Sequence, residues 1–275
     1  MKRSDACFLC KSYERELVLI KNSYPIVKCK GCGLIHVALE QDVERRDLVE
    51  TYGEEYFTGK VYKNYFEEKP VRMRLFSRKF DLIRKHLPLT GKILDAGSAA
   101  GFFLEVARQR GYDTYGIEIS EFASTYAREQ LNLEVETGEL QDSRFPANYF
   151  DVITMWDLLE HLPRPNETLM KARSLLKSGG ELVIETLDVD CFNASVLRNK
   201  WPLYAPPFHL FYFSLRTLRM LLSRTGFKII QVIPIQTYSP FHAHKAVRYF
   251  EQPLIIRMII GRLFGDVVIV IARKI

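Results

Sequence analysis

Four cysteines fall within the first 32 residues, as CFLC (Cys7, Cys10) and CKGC (Cys29, Cys32), in a C-x2-C-x18-C-x2-C spacing. Each pair makes the tight turn that aims two sulfurs at one metal, and the spacing is that of a four-thiolate zinc site. With cysteine at every position no ligand place is open to water, so a Zn2+ held here is expected to be structural. About 40 residues cannot build an adequate apolar core alone, and a bound metal would supply that folding energy. Gly31 and Gly33 let the second turn bend. Cys191 lies far from the others and reads as a small buried residue.

The stretch ILDAGSAAG (Ile93 to Gly101) is a strand running into a glycine turn. A dinucleotide fingerprint needs G-x-G-x-x-G, and counted from Gly97 this chain offers Gly97, Ala99 and Phe102. The better fit is D-x-G-x-(small)-x-G: Asp95, Gly97, Ala99, Gly101. An acid, Glu118, ends the next strand and suits a ribose diol, since a carboxylate accepts from both hydroxyls. Asp95 in the turn would repel a pyrophosphate and suit a cation. Together they favour a nucleoside carrying positive charge.

On ILDAGSAAG, YGIEIS, FDVITMWDLLEHL and LLKSGGELVIE the chain resembles the class I S-adenosylmethionine-dependent methyltransferases, over roughly 90–235. It looks closest to small-molecule methyltransferases that carry an N-terminal cysteine-rich ribbon. The resemblance implies S-adenosyl-L-methionine as cofactor. It places Asp95, Gly97 and Gly101 on the methionine and ribose side, Glu118 on the ribose hydroxyls and Ile119 against adenine. Glu139 and Leu140 would meet the adenine amino group, and Met155, Trp156 and Asp157 would face the sulfonium. Ala99 departs from the usual glycine, and is expected to be tolerated if its φ stays negative.

Transfer of a methyl to a hydroxyl needs alignment, exclusion of water and a base near the transition state. His161 in DLLEHL, His209 in PPFHLFYFS and Asp157 are the candidates. Asp157, Glu160 and His161 could instead hold a divalent ion that lowers the pKa of a bound hydroxyl, with a spacing similar to that of metal-dependent quinone-pathway O-methyltransferases. The plainer alternative is that EHL ends the strand, with His161 bonded to backbone.

These residues need a scaffold, and from residue 92 strands and helices alternate. The strands are continuous apolar runs, which implies a parallel sheet covered on both faces, with ligands beyond its carboxyl edge. The expected fold is α/β: a Rossmann-like seven-stranded methyltransferase sheet, its last strand DVVIVIARK antiparallel by the resemblance, with a small ribbon in front. The expected divisions are a zinc ribbon over 1–40, a helical connecting segment over 41–90 and the methyltransferase domain over 91–275. In the connecting segment Leu75, Phe76, Phe80, Ile83 and Leu87 keep helical spacing. The run Lys69 to Lys85 there holds seven basic residues and one acid, and reads as a solvated face or an anion-binding surface. The aromatic, proline-rich stretch Asn199 to Ser214 reads as the floor or lid of the acceptor pocket, with Trp201, Tyr204, Phe208 and Tyr212 as its wall. Pro253 to Gly265 reads as an apolar core helix, with a membrane-surface helix as the alternative.

The chain has 275 residues, 47% hydrophobic, with a formal net charge of +6. It shows no signal segment and no apolar run of spanning length, so a cytoplasmic enzyme is expected. The preferred acceptor is a hydroxylated sugar-type metabolite: a sugar, nucleotide-sugar or polysaccharide precursor. An RNA methyltransferase is the first alternative, because residues 1–85 carry 18 Lys/Arg against 13 Asp/Glu. A non-catalytic protein that binds the cofactor or docks a partner is the second.

Overall fold

The computed structural model describes residues 5–39, 43–236, 252 and 265–275. In chain order these residues form β1 (Arg15–Lys21), β2 (Tyr24–Cys29), β3 (Ile35–Val37), α1 (Arg45–Thr51), α2 (Lys69–Ile83), β4 (Lys92–Ala96) and α3 (Phe102–Gln109). There follow β5 (Asp113–Glu118), α4 (Glu121–Leu131), β6 (Glu134–Thr137), β7 (Phe150–Trp156), α5 (Pro165–Leu175) and β8 (Leu176–Leu187). The last are α6 (Phe192–Leu197), β9 (Phe211–Tyr212), α7 (Leu215–Arg224), β10 (Phe227–Ile235) and β11 (Val267–Lys274).

The main sheet has seven strands in the order β10-β11-β8-β7-β4-β5-β6. β11 slots in antiparallel between β8 and β10, while β4, β5, β6, β7 and β8 pair in parallel. Strand chemistry explains the arrangement. Ile93, Leu94, Val152, Ile153, Val183, Ile184, Ile269 and Val270 are all fully buried, as a sheet covered on both faces demands. The helices are terminated by local chemistry: the Ser120 hydroxyl caps α4, Asn132 closes it in a left-handed turn, and Ser214 with Thr217 forms a capping box on α7.

The ribbon is less separate than its sequence suggests. β1, β2 and β3 form an antiparallel meander, and β9 from the aromatic stretch adds a fourth strand, with Ile35 opposite Tyr212 and His36 opposite Phe211. Residues 48–79 bring Leu48, Phe57, Tyr65 and Leu75 to the carboxyl edge of the main sheet, while the end of α2 packs Phe80 on Tyr112 (centroids 5.7 Å) ahead of β5. Apart from Gly265, the stretch 253–265 is outside the described residues. No helix among the described residues is long and apolar enough to cross a membrane.

Candidate functional site

The carboxyl ends of β4, β5 and β7 open into one cavity of about 210 Å³. Its floor is the glycine turn. Gly97 sits at φ 72°, where a side chain would be strained, and its Cβ would meet Leu158 at 2.9 Å. The Gly97 and Ser98 N–H groups both donate to the Ile117 carbonyl (2.8 and 3.2 Å), which folds the turn back onto β5. Ala99 departs from expectation: its φ is 47°, in the left-handed region. That conformation aims its N–H at Glu118 Oε2 (2.8 Å), while Oε1 accepts from Ser120 N–H (2.9 Å).

Glu118 therefore ties the turn to the start of α4 and lines the cavity as well. Burial raises its carboxyl above the usual range. Asp95, 2% exposed, accepts from the Thr154 hydroxyl at 2.6 Å, and burial with Glu118 nearby pushes it up to about 8. Two buried carboxylates with raised pKa values suit a ligand that brings positive charge and disfavour a phosphate. The donor set thus fits the sulfonium and ribose of S-adenosylmethionine.

Ile119, Glu139, Leu140 and Trp156 also line the cavity, as expected. Gly101 and Met155 do not. Gly101 (φ 79°) starts α3, and a Cβ there would strike Leu133 at 2.5 Å, so its task is close packing against α4. Met155 is fully buried on the opposite side of β7, among Leu159, Leu182 and Ile184. Strand side chains alternate, so Trp156 faces the cavity and Met155 cannot.

Past β7 the backbone turns at Asp157 (φ 48°), whose N–H donates to the Glu185 carbonyl at 3.1 Å. His161 and His209 come together, ring centroids 4.8 Å apart and nearly perpendicular, and both line the cavity with Asp157. His161 Nδ1 lies 2.9 Å from the Phe208 carbonyl and 3.0 Å from Tyr52 Oη. A carbonyl only accepts, so Nδ1 carries the hydrogen and Nε2 keeps its lone pair. His209 Nδ1 is fixed in the same way by the Leu203 carbonyl at 2.7 Å. Burial, with His209 beside it, lowers His161 to about 3, and burial lowers His209 too. Both are neutral imidazoles, and neither Nε2 has a hydrogen-bond partner among the described residues.

The expected Asp157, Glu160, His161 grouping is rearranged. Glu160, His161 and His209 each offer one ligand atom within 4.8 Å of the others, and Asp157 is not in that group. Glu160 is 2% exposed and accepts from the Thr186 hydroxyl at 2.9 Å, its carboxyl pushed well up by burial and by Asp157.

The roof comes from residues that the sequence did not assign to the site: Tyr52, Tyr56, Tyr62 and Tyr65 ahead of α2, and Arg72, Phe76 and Lys79 on it. Lys79 Nζ reaches Glu185 Oε1 at 2.6 Å, with the two side chains 4% and 1% exposed. Arg72 pairs with Glu68 at 2.6 Å and lies over the Tyr65 ring at 3.9 Å. Two cations of the basic run thus point inward. The signal was present: positions 72, 75, 76, 79, 80 and 83 share one helical phase, and two of them are basic. Conversely, Trp201, Tyr204 and Tyr212 of the expected aromatic wall are not among the lining residues. They pack on one another (centroids 5.1 and 4.9 Å) inside the core. From that stretch, His209 alone lines the cavity.

Some way off, Cys7, Cys10, Cys29 and Cys32 offer sulfurs that all lie within 4.8 Å of one another, with Cys7–Cys32 at 3.7 Å and Cys10–Cys29 at 3.4 Å. Tetrahedral zinc with bonds of about 2.3 Å needs sulfurs about 3.8 Å apart, so the set fits a structural zinc. The two turns are built alike. Lys11 N–H donates to the Cys7 carbonyl and Gly33 N–H to the Cys29 carbonyl (2.7 and 2.8 Å), with Lys11 and Gly33 both left-handed. A Cβ on Gly31 would crowd Cys10 Sγ at 3.0 Å.

Strand order, antiparallel last strand, acid-bounded glycine turn and carboxylate at the end of β5 together define the class I S-adenosylmethionine-dependent methyltransferase fold. The chain belongs to the family described as methyltransferase domain, whose profile matches residues 66–232. Among curated relatives it is similar to a ubiquinone biosynthesis O-methyltransferase of Azoarcus sp. (strain BH72), 33% identical over 135 residues, 46% of this chain and 54% of the relative. A protein of the same name from Coxiella burnetii is 29% identical over 124 residues, 43% of this chain and 50% of the relative. The match thus spans about half the length of these relatives. Among solved structures, a methyltransferase of Thermotoga maritima aligns with a TM-score of 0.58 at 19% identity, over 77% of this chain and 95% of that one. Magnesium protoporphyrin IX methyltransferase of Synechocystis PCC 6803 aligns with a TM-score of 0.58 at 15% identity, over 84% of this chain and all of the other.

Proposed function

We propose that this chain is an S-adenosylmethionine-dependent O-methyltransferase, and that its acceptor is a hydroxyl on a small flat ring of phenolic type. The observation that carries the reading is the His161–His209 pair, two neutral imidazoles with bare Nε2 atoms, in the same cavity as Glu118 and the glycine turn.

Asp95 and Glu118 would hold the donor, which would supply a sulfonium-bound methyl open to displacement. The chain's own residues do the rest. Glu118 holds the turn and accepts from ribose hydroxyls, and Glu139 and Leu140 border the adenine. Tyr52, Tyr56 and Trp156 exclude water and align the acceptor, and Nε2 of His161 takes the hydroxyl proton. A phenol, with pKa about 10, gives its proton to a neutral imidazole more readily than a sugar alcohol, which is far less acidic. The aromatic roof favours a planar ring in the same direction, and the relatives are named for ubiquinone biosynthesis. The sugar acceptor implied by the resemblance has neither support.

A labelled-methyl assay over phenol, catechol and nucleotide sugars tests the acceptor. Turnover of the phenols alone is expected, and turnover of the sugars alone would overturn it. Replacing His161 by Asn should lower turnover by about 10²–10⁴-fold while leaving donor affinity intact. The RNA alternative predicts tight rRNA binding with a steep salt dependence, and the cofactor-binding alternative predicts donor affinity without turnover of any acceptor.

A further inference from the structure

The ribbon reaches the acceptor side of the cavity through its hairpin tip, its third strand and its cysteine cluster. Its hairpin tip holds the start of the 199–213 segment: Lys21 Nζ donates to the Asn199 carbonyl (2.8 Å) and Asn22 Nδ2 to the Pro206 carbonyl (3.1 Å). Its third strand holds the end, with Val37 N–H donating to the Leu210 carbonyl (2.9 Å) and β3 pairing with β9. Between those anchors sits His209. Leu210 N–H donates onward to the Glu160 carbonyl (2.8 Å), which joins the segment to the turn bearing His161. The cysteine cluster backs the same segment. Cys7, Leu9, Cys29, Cys32 and Leu34 share one buried cluster with Leu159, Leu210 and Phe211, and Phe8 meets Phe211 edge-on at 5.4 Å.

We propose that the ribbon is part of the acceptor site: it positions His209 by clamping the 199–213 segment at both ends, and its metal-bound fold sets the quality of the acceptor pocket while leaving the donor pocket alone. The donor side is built by β4, β5 and the turn after β6, none of which pairs with a ribbon strand. The proposal rests on the reading of the cavity as an acceptor site. It assigns Lys21 and Asn22 as positioning residues that touch no reacting atom.

The test uses the full-length, zinc-loaded chain with Lys21→Met and Asn22→Asp combined. Met keeps the apolar stem, and Asp keeps a residue suited to the left-handed turn at Asn22 (φ 48°) but cannot donate. Three readouts are taken: calorimetric affinity for S-adenosylhomocysteine, amide hydrogen exchange across 199–213, and KM for catechol. Unchanged donor affinity is expected, with faster exchange confined to 199–213 and a KM raised about tenfold at similar kcat. Restoring Asn22 alone should recover part of both effects. Exchange in 199–213 identical to wild type would overturn the proposal whether or not catechol turns over, and so would a loss of donor affinity equal to that for the acceptor. Failure of the function reading looks different: the wild-type chain would bind no S-adenosylhomocysteine. As a second perturbation, zinc removal by chelator should speed exchange in 199–213 before β4 and β5. Uniform loss of protection would reduce the ribbon to a general stabiliser and sink the idea.

Discussion

Replacing Ala99 by glycine should make this protein more stable, against the usual direction for a core-adjacent Ala→Gly change. Ala99 is held at φ 47° by the bond from its N–H to Glu118 Oε2. A left-handed alanine costs about 1–2 kcal/mol, because its Cβ crowds the following carbonyl oxygen. Glycine removes that cost and loses about 0.4–1 kcal/mol through the greater freedom of its unfolded chain. The balance is a gain of up to about 1.6 kcal/mol, with a midpoint of about 0.8 kcal/mol that raises the melting temperature of a domain of this size by about 2–3 °C. The neighbour Ala100 supplies the control: it is fully buried and has no positive φ, so Ala100→Gly should destabilise. Urea denaturation of both variants, with the slope unchanged, reads the two signs. Calorimetry with S-adenosylhomocysteine should show Ala99→Gly binding at least as tightly as wild type, since a methyl leaves the cavity wall. A lower urea midpoint for Ala99→Gly, or weaker donor binding, would refute the argument that the turn carries this strain.

Other expectations follow from the same geometry. Glu118→Gln turns one carboxylate oxygen into an NH2 group facing the N–H of Ala99 or Ser120; it should cost about 1–3 kcal/mol in stability and weaken donor binding, and calorimetric affinity matching wild type would remove Glu118 from the donor site. Lys79→Met leaves Glu185 buried without its cation, a loss of about 3–5 kcal/mol by denaturation; the double change with Glu185→Met should recover most of it. His161 stays neutral in the folded chain down to about 3 and takes up its proton near 6.5 when unfolded. The unfolded state therefore binds more protons, so this residue's share of stability falls as pH drops from about 6.5 to about 3. His161→Asn should flatten that part of the stability curve, and curves that stay parallel would contradict the burial argument. Elemental analysis should find one zinc per chain, lost when Cys7 and Cys32 are both changed to Ser.

The parts of the site that the sequence disclosed are those whose chemistry is local. The glycine turn, the acid closing β5 and the paired cysteines each lie within a few residues and carry a spacing that physics constrains. Met155 lies on the far side of β7 from Trp156, a placement that follows from the period of two along a strand. As part of a basic run, Arg72 and Lys79 read as a solvated or anion-binding face, yet they occupy the apolar phase of α2. A cation in that phase signals a buried partner, and for Lys79 the partner is Glu185, 106 residues away.

The aromatic stretch failed for a different reason. PPFHLFYFS contains a two-residue strand whose partner is the ribbon, more than 170 positions earlier, and no period in either segment announces the pairing. Its aromatics are large because they fill a junction between two sheets, where Trp201 and Tyr212 are fully buried. Its one cavity residue, His209, is placed by the backbone: its Nδ1 by the Leu203 carbonyl and the flanking Leu210 carbonyl by Val37 N–H. Backbone partners leave no trace in residue identity, so a sequence can name a histidine but not the nitrogen that is free. Here that nitrogen is Nε2, because the Leu203 carbonyl holds Nδ1.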